Sequence, residues 1–346
     1  MAGAQSAVNP RADEDFCRAM LPLVSRTFAA CIGLLPQPTR HRVLIAYLLC
    51  RIADTVEDTA ELPAQRKREL LDHLRRCLED GGPDAGPLTA IFADAATHDR
   101  LLTRETDRTL REFRAFPPAV RAAIRPWVQE MCEGMAGFAA LQPQPGEFQA
   151  LEGLADLDRY CWYVAGTVGH LLTDLFRLQS PSIAADPARY ARLKALATDF
   201  GLGLQLVNII KDVADDRQRG WSFVPRELCR AHGLAAERLL DPDQATAAAA
   251  VMRQLVAKAR THLDNSLAYC LELPETDYRL RLFCLAPLYF AVRTLALADR
   301  DPRLLDPTHK VKIRRPEVYR ILAAGYLVAP CNRLVTSHFR HLTAGK

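Results

Sequence analysis

Asp54, Glu57 and Asp58 stand at i, i+3 and i+4 in the run Asp54-Thr55-Val56-Glu57-Asp58, so a helix would carry all three carboxylates on one face. A second set lies in Asn208-Ile209-Ile210-Lys211-Asp212-Val213-Ala214-Asp215-Asp216. There Asn208, Asp212 and Asp215 or Asp216 share a face, with Gln205 one turn earlier. Acidic residues on one helix face are most often solvated surface. Here each set terminates a segment that is apolar nearly all round. Val43, Leu44, Ile45, Tyr47, Leu48, Leu49, Ile52 and Val56 lead to the first; Phe200, Leu202, Leu204, Leu206, Val207, Ile209, Ile210 and Val213 run through the second. Such helices belong in the middle of a bundle, and charges carried into one need a cation to meet them. Neither set is joined by the His or Cys that zinc would ask for. Oxygen-only ligands on two walls of a cavity suit Mg²⁺, which takes a few carboxylates and completes its shell with water and substrate phosphate. Metal held this way neutralises a diphosphate leaving with its bonding electrons.

Cations lie close by. Arg51 is one turn before Asp54, Lys211 precedes Asp212, and Arg26 sits in Ser25-Arg26-Thr27-Phe28. Diphosphate recognition needs such charge-assisted donors. A third segment, Tyr160-Cys161-Trp162-Tyr163-Val164-Ala165-Gly166-Thr167-Val168-Gly169, thins one helix face at Ala165, Gly166 and Gly169. Glycine inside a helix is unfavourable by about 1 kcal/mol against alanine, so a steric reason is expected: close approach by another helix or by a long prenyl chain. Tyr160 and Tyr163 offer either plain core packing, or a π face to a carbocation and a hydroxyl to a proton.

The elements that must position these groups read as helices. The 3.6-residue period predicts them over Arg40–Asp58, Gln65–Leu78, Asp99–Ala115, Ala119–Ala140, Ala150–Leu178, Pro187–Val213, Ala245–Glu272, Tyr278–Ala298 and Pro316–Val328. Strand-like alternation is nearly absent. Breaks are expected at Gly81-Gly82-Pro83, Gly86-Pro87, Phe116-Pro117-Pro118 and Gln142 to Gly146. None resembles a long linker. One all-α domain is expected over residues 21–330, between a polar N-terminal segment (1–20) and a polar C-terminal tail (331–346).

The chain has 346 residues, 49% hydrophobic and 25% charged, with a formal charge of +4. This composition is that of a globular protein, and the small charge gives no reason to expect a nucleic-acid partner. Ten cysteines without a C-x-x-C pair read as buried thiols in a reducing cytoplasm. No secretory signal is expected at the N-terminus. The apolar stretch Ile321 to Ala329 is too short for the roughly 20 residues of a spanning helix. The expectation is a soluble monomer whose membrane contact, if any, is peripheral.

In order and spacing, these motifs resemble the squalene/phytoene synthase family. The resemblance runs from Ser25-Arg26-Thr27-Phe28 through Tyr47 and Arg51 to Asp54-Thr55-Val56-Glu57-Asp58. It continues through Tyr160-Cys161-Trp162-Tyr163-Val164-Ala165-Gly166 and Asn208-Ile209-Ile210-Lys211-Asp212 to Pro225, Phe283-Cys284-Leu285-Ala286-Pro287 and Val311-Lys312-Ile313-Arg314. It covers about Ser25 to about Arg315 and is most similar to the squalene synthase branch. It implies an isoprenoid-synthase-type helical bundle with a central active-site cavity. It implies two half-reactions: condensation of two farnesyl diphosphates to presqualene diphosphate, then rearrangement and reduction by NADPH to squalene.

Carried over by position, the resemblance makes Asp54, Glu57, Asp58, Asp212 and Asp216 ligands of Mg²⁺, with Asn208 and Asp215 beside them. Ser25, Arg26, Tyr47, Arg51, Gln205 and Lys211 become diphosphate contacts. Arg26, Arg51, Lys211, Lys312 and Arg314 match positions binding diphosphate or NADPH phosphates, the last two on a flap. Tyr160 would assist the first half-reaction and Phe283 would line the second-step pocket. Gly201-Leu202-Gly203 follows no strand and is no dinucleotide fingerprint.

Two departures stand out. Asp215 occupies a position where Glu is usual. Gly220-Trp221 stands where Gly-Arg is usual, leaving Arg217 or Arg219 to supply that charge. Eukaryotic relatives carry a C-terminal membrane anchor, and none is expected here. The rival readings are a dehydrosqualene or phytoene synthase that ignores NADPH, an enzyme stopping at presqualene diphosphate or hydroxysqualene, a class I terpene cyclase, and a prenyl-lipid carrier.

Overall fold

A computed structural model describes residues 10–92, 96–139, 141 and 146–344. The chain is all-α, as expected. Helices α1 (Pro10–Val24) and α2 (Arg26–Gly33) pack on each other and on α3 (Thr39–Asp58). Then come α4 (Ala64–Cys77), α5 (Gly86–Thr89), α6 (His98–Arg104), α7 (Thr106–Ala115) and α8 (Pro118–Ala139), with α8 packed against both α3 and α4. The second half holds α9 (Leu154–Cys161), a π-helical turn (Trp162–Gly166), α10 (Thr167–Gln179), α11 (Pro181–Ala184) and α12 (Pro187–Gln218). It ends with α13 (Arg226–Ala231), α14 (Ala245–Glu272), α15 (Tyr278–Ala298), α16 (Arg315–Val328) and α17 (Asn332–Thr343).

Helix α12 is the axis. It is packed by α10, α14 and α15, which is why its sequence is apolar nearly all round from Phe200 to Val213. Its start is fixed by Asp186, whose side chain accepts from Arg189 N at 2.9 Å, and by Pro187 in the first turn. Glycine lets it come close to its neighbour. A Cβ on Gly201 would fall 2.2 Å from the Ala165 carbonyl oxygen, and one on Gly169 2.0 Å from that of Ala197. The thinned face of the Tyr160–Gly169 segment therefore receives a helix at these two positions. Helices α12 and α15 are long and apolar enough to cross a membrane, but more than half of each apolar window is buried in protein.

Several expectations need correcting. The helix expected over Asp99–Ala115 breaks at Glu105, where the Thr106 hydroxyl bonds the Thr103 carbonyl at 2.6 Å in place of a continuing turn. The helix expected from Ala150 starts at Leu154. Gln149–Ala150 instead forms strand β1, paired in parallel with β2 (Trp221–Ser222). Helix α12 runs past Val213 to Gln218 and so carries the whole acidic run. The polar ends are drawn into the fold: Cys17, Met20 and Leu21 of α1 are buried, as are Val335, Phe339 and Leu342 of α17. Residues 1–9, Ala140, most of the Gln142 to Gly146 break, and residues 345–346 lie outside the described residues. Nine of the ten cysteines are buried free thiols, and Cys331 is half-buried.

Candidate active site

The C-terminal ends of α3 and α12 open on one cavity of about 820 Å³. Glu57 and Asp58 reach it from α3, and Asp216 from α12. Tyr160, from the last turn of α9, lines it too. Phe138, Leu62, Trp221 and Phe223 supply apolar wall. The β1–β2 pairing delivers the last two: it holds Trp221 beside Gln149 and aims Phe223 at Tyr160, ring centroids 4.5 Å apart. Phe138 meets Tyr160 edge-on at 5.3 Å. The π-helical turn that follows α9 seats the Tyr163 ring where a Cβ on Gly134 would stand. Such turns recur at functional sites.

The carboxylates of the α3 end hold their protons unusually well. Burial pushes Asp54 up to about 7, offset by Arg51 and reinforced by Asp58 and Asp99. About a third of its side chain still faces water. Burial, with neighbouring carboxylates, drives Glu57 well above its usual range, and Asp58 is raised mainly by burial. Arg51 spans this group, 2.8 Å from Asp99 and 3.8 Å from Asp54. Beneath it lies Lys67, 2% exposed, with its ammonium on the Glu57 carbonyl at 2.5 Å. At the α12 end each carboxylate has a cation beside it: Asp212 with Lys211, Asp215 with Lys310 and Asp216 with Arg219. Burial still lifts Asp216 to about 6. Tyr160 is buried, with its hydroxyl held protonated far above the ordinary phenol range by that burial and by the nearby carboxylates.

The structure thus gathers Glu57, Asp58, Asp216 and Tyr160 around one space. Asp54, Asp212, Asp215, Asn208 and Gln205 lie on the same two helices but are not among its lining residues. Among the described residues no three His, Cys, Asp or Glu side chains converge to hold an ion unaided. Ser25 caps α2, accepting from Phe28 N at 3.2 Å, and its hydroxyl meets that of Tyr47, whose ring lies 5.2 Å from Phe28. Arg26 is exposed at the start of α2. Phe283 departs from expectation. It is buried in the core, edge-on to Phe176 at 6.0 Å, and does not line the cavity. Lys312 and Arg314 are exposed, and it is Lys310, two residues earlier, that ties the segment before α16 to the acidic end. Lys310, Lys67, Asp99, Phe138 and Phe223 escaped the sequence reading. Phe223, two residues beyond Trp221, carried a period-2 signal too short to weigh.

A family model for squalene/phytoene synthases matches residues 21–317. The chain belongs to the squalene/phytoene synthase family. It is 32% identical over 312 residues to the squalene synthase of Schizosaccharomyces pombe, covering 88% of this chain and 64% of that protein. It is 31% identical over 328 residues to that of Eremothecium gossypii, covering 94% and 71%. The chain therefore spans about two-thirds of the length of these relatives. A solved structure described as TcSQS with the ligand E5700 superposes with a TM-score of 0.81 at 28% identity, covering 98% of this chain and 93% of that one. A dehydrosqualene synthase shares the fold at a TM-score of 0.64 and 23% identity, covering 96% and 98%. The all-α single-domain isoprenoid synthase fold is common to this chain and these structures.

Proposed function

We propose that this protein is a squalene synthase. It condenses two farnesyl diphosphates to presqualene diphosphate, then reduces and rearranges that product to squalene with NADPH. The observation that carries the reading is the meeting of two carboxylate-bearing helix ends and one buried tyrosine around a single cavity. The similarity to squalene synthases over most of the chain supports it.

The donor set fits Mg²⁺. It is all oxygen, it is short of positive charge at the α3 end, and it leaves coordination positions for water and diphosphate. Asp54, Glu57 and Asp58 would hold metal from one side and Asp212 and Asp216 from the other, with Asp215 and Asn208 in reserve. Bound there, Mg²⁺ supplies neutralising charge to a departing diphosphate.

The chain's own residues do the rest. Tyr160, Phe138 and Phe223 form one aromatic cluster on the cavity wall, which offers π surface to an allylic cation. Its neutral hydroxyl lines the cavity near Glu57 and Asp58, whose charge strengthens its hold on the proton. Leu62, Phe138, Trp221 and Phe223 keep water from the cation, which water would trap as an alcohol. The Lys310–Asp215 pair pins the segment before α16 to the acidic end, and exposed Lys312 and Arg314 on that segment would bind phosphates of NADPH.

The test is a product assay with farnesyl diphosphate and Mg²⁺. Squalene is expected with NADPH, and presqualene diphosphate without it. Dehydrosqualene formed regardless of NADPH would reject this reading for its nearest rival, and a cyclised monomeric terpene would reject both.

A further inference from the structure

Among the described residues lining the cavity, Glu57, Asp58, Glu61, Glu147 and Asp216 face two cations, Arg217 and Arg219. An anionic ligand entering this space needs positive charge from the wall as well as from metal. The two arginines are committed differently. Arg217 lies over the Phe148 ring, 4.2 Å from its centroid, and donates to the Glu237 carbonyl at 2.7 Å. Those contacts anchor it toward the loop after α13.

Arg219 is held from one side only. Asp216, 7% exposed, takes one end of its guanidinium, while 65% of the Arg219 side chain stays exposed. A guanidinium has five N–H donors in a fixed fork, so a single carboxylate leaves donors over. Its backbone is fixed as well. The Arg219 N–H closes α12 on the carbonyls of Asp215 and Asp216, at 3.3 and 3.0 Å. Gly220 then turns at φ +78, a conformation that favours glycine, and passes the chain into β2. Arg219 also acts across the gap. Its charge is the largest influence opposing burial at Asp58, on the other acidic helix. One cation therefore serves both carboxylate ends.

Two residues on, Trp221 stands where the resemblance leads one to expect arginine. Its indole Nε1 is buried without a partner, and its ring meets Phe223 edge-on at 5.5 Å. Trp221 thus extends the aromatic wall and supplies no cation.

We infer that Arg219 binds substrate diphosphate between the two acidic helix ends, so that in this chain the cation sits two residues earlier and Trp221 is freed to wall the cavity. Asp216 holds the guanidinium in this structure, and metal bound to that carboxylate would free it for the anion. The inference rests on the diphosphate chemistry proposed above.

The test compares wild type with Arg219→Gln, Arg219→Lys and Arg217→Gln. Calorimetry measures binding of inorganic diphosphate in the presence of Mg²⁺, and steady-state assays give KM and kcat for farnesyl diphosphate. Arg219→Gln should weaken diphosphate binding about 10- to 100-fold and raise KM, the scale of a lost charged hydrogen bond. Arg219→Lys should recover part of the loss, because a point charge replaces a fork. Arg217→Gln should stay within about twofold of wild type, as expected of a side chain spent on Phe148 and Glu237. Wild-type affinity in Arg219→Gln overturns the inference, as does an equal loss in Arg217→Gln. A wild-type protein that binds no diphosphate and consumes no farnesyl diphosphate overturns the proposed function itself.

Discussion

The two acidic helix ends face one cavity but meet their charge in opposite ways. At the α12 end the solution is local: Asp212, Asp215 and Asp216 each stand against a cation, two of them within three residues in sequence and the third, Lys310, brought from the segment before α16. At the α3 end three carboxylates share Arg51, which Asp99 also claims, the buried Lys67 below them, and Arg219, which Asp216 already holds. Burial then pushes all three above the ordinary carboxylate range. The α3 end is short of positive charge and answers by keeping protons. The α12 end is neutralised in advance and must exchange a side-chain cation for whatever it binds. On the proposed chemistry, metal would enter first at the α3 end, where it displaces protons, and the cation-paired α12 end would meet the diphosphate second.

The largest expected effect breaks one end at a time. Asp54→Ala and Asp212→Ala should each lower turnover roughly 100- to 1,000-fold, the scale of losing one preorganised electrostatic group. Helical circular dichroism should be unchanged in both. Near-normal turnover in either variant would remove that end from the reaction.

A smaller effect separates the ends by pH. Folding raises the pKa of Asp54 from 3.8 to about 7 and that of Asp216 to about 6. The folded state therefore binds these protons more tightly than the unfolded chain. That contribution is fully present below 3.8, falls as pH rises above it, and is lost once pH passes 6 to 7, where the groups must ionise in place. Metal-free protein should melt several degrees lower at pH 8 than at pH 5.5, and Mg²⁺ should restore more of the loss at pH 8, where it no longer competes with protons. Asp54→Asn should flatten the metal-free profile more than Asp216→Asn, measured by thermal denaturation in chelator. Equal flattening by both would erase the contrast between the ends.

Much of this was legible in the sequence, for a physical reason. A helix apolar on all sides has no place but the core, so Val43–Val56 and Phe200–Val213 announced both their burial and the exceptional position of the charges at their ends. Helices α14 and α15 matched their expected bounds because long periodic segments average over local noise. What failed depended on contacts distant in sequence. A two-residue strand such as β2 has no period to read, so the wall built by Trp221 and Phe223 was hidden. The π-helical turn after Tyr160 has no simple signature, and Lys310 is tied to Asp215 from 95 residues away. Phe283 took its expected role from position in a motif, whereas the packing of α15 turns it to Phe176. For α17 the signal lies in the sequence: Val335, Phe339 and Leu342 fall at i, i+4 and i+7, the stripe of a docked helix, although the segment's polar composition reads as a tail.

The claim beneath the whole account is that α3 and α12 act together on one anion. A double-mutant cycle tests it most directly, following Mg²⁺-dependent binding of inorganic diphosphate to wild type, Asp54→Ala, Asp212→Ala and the double variant. Each single variant should lose most of the binding, and the double variant should lose little more than either one. Losses that simply add, or diphosphate binding undiminished when Mg²⁺ is chelated, would contradict it.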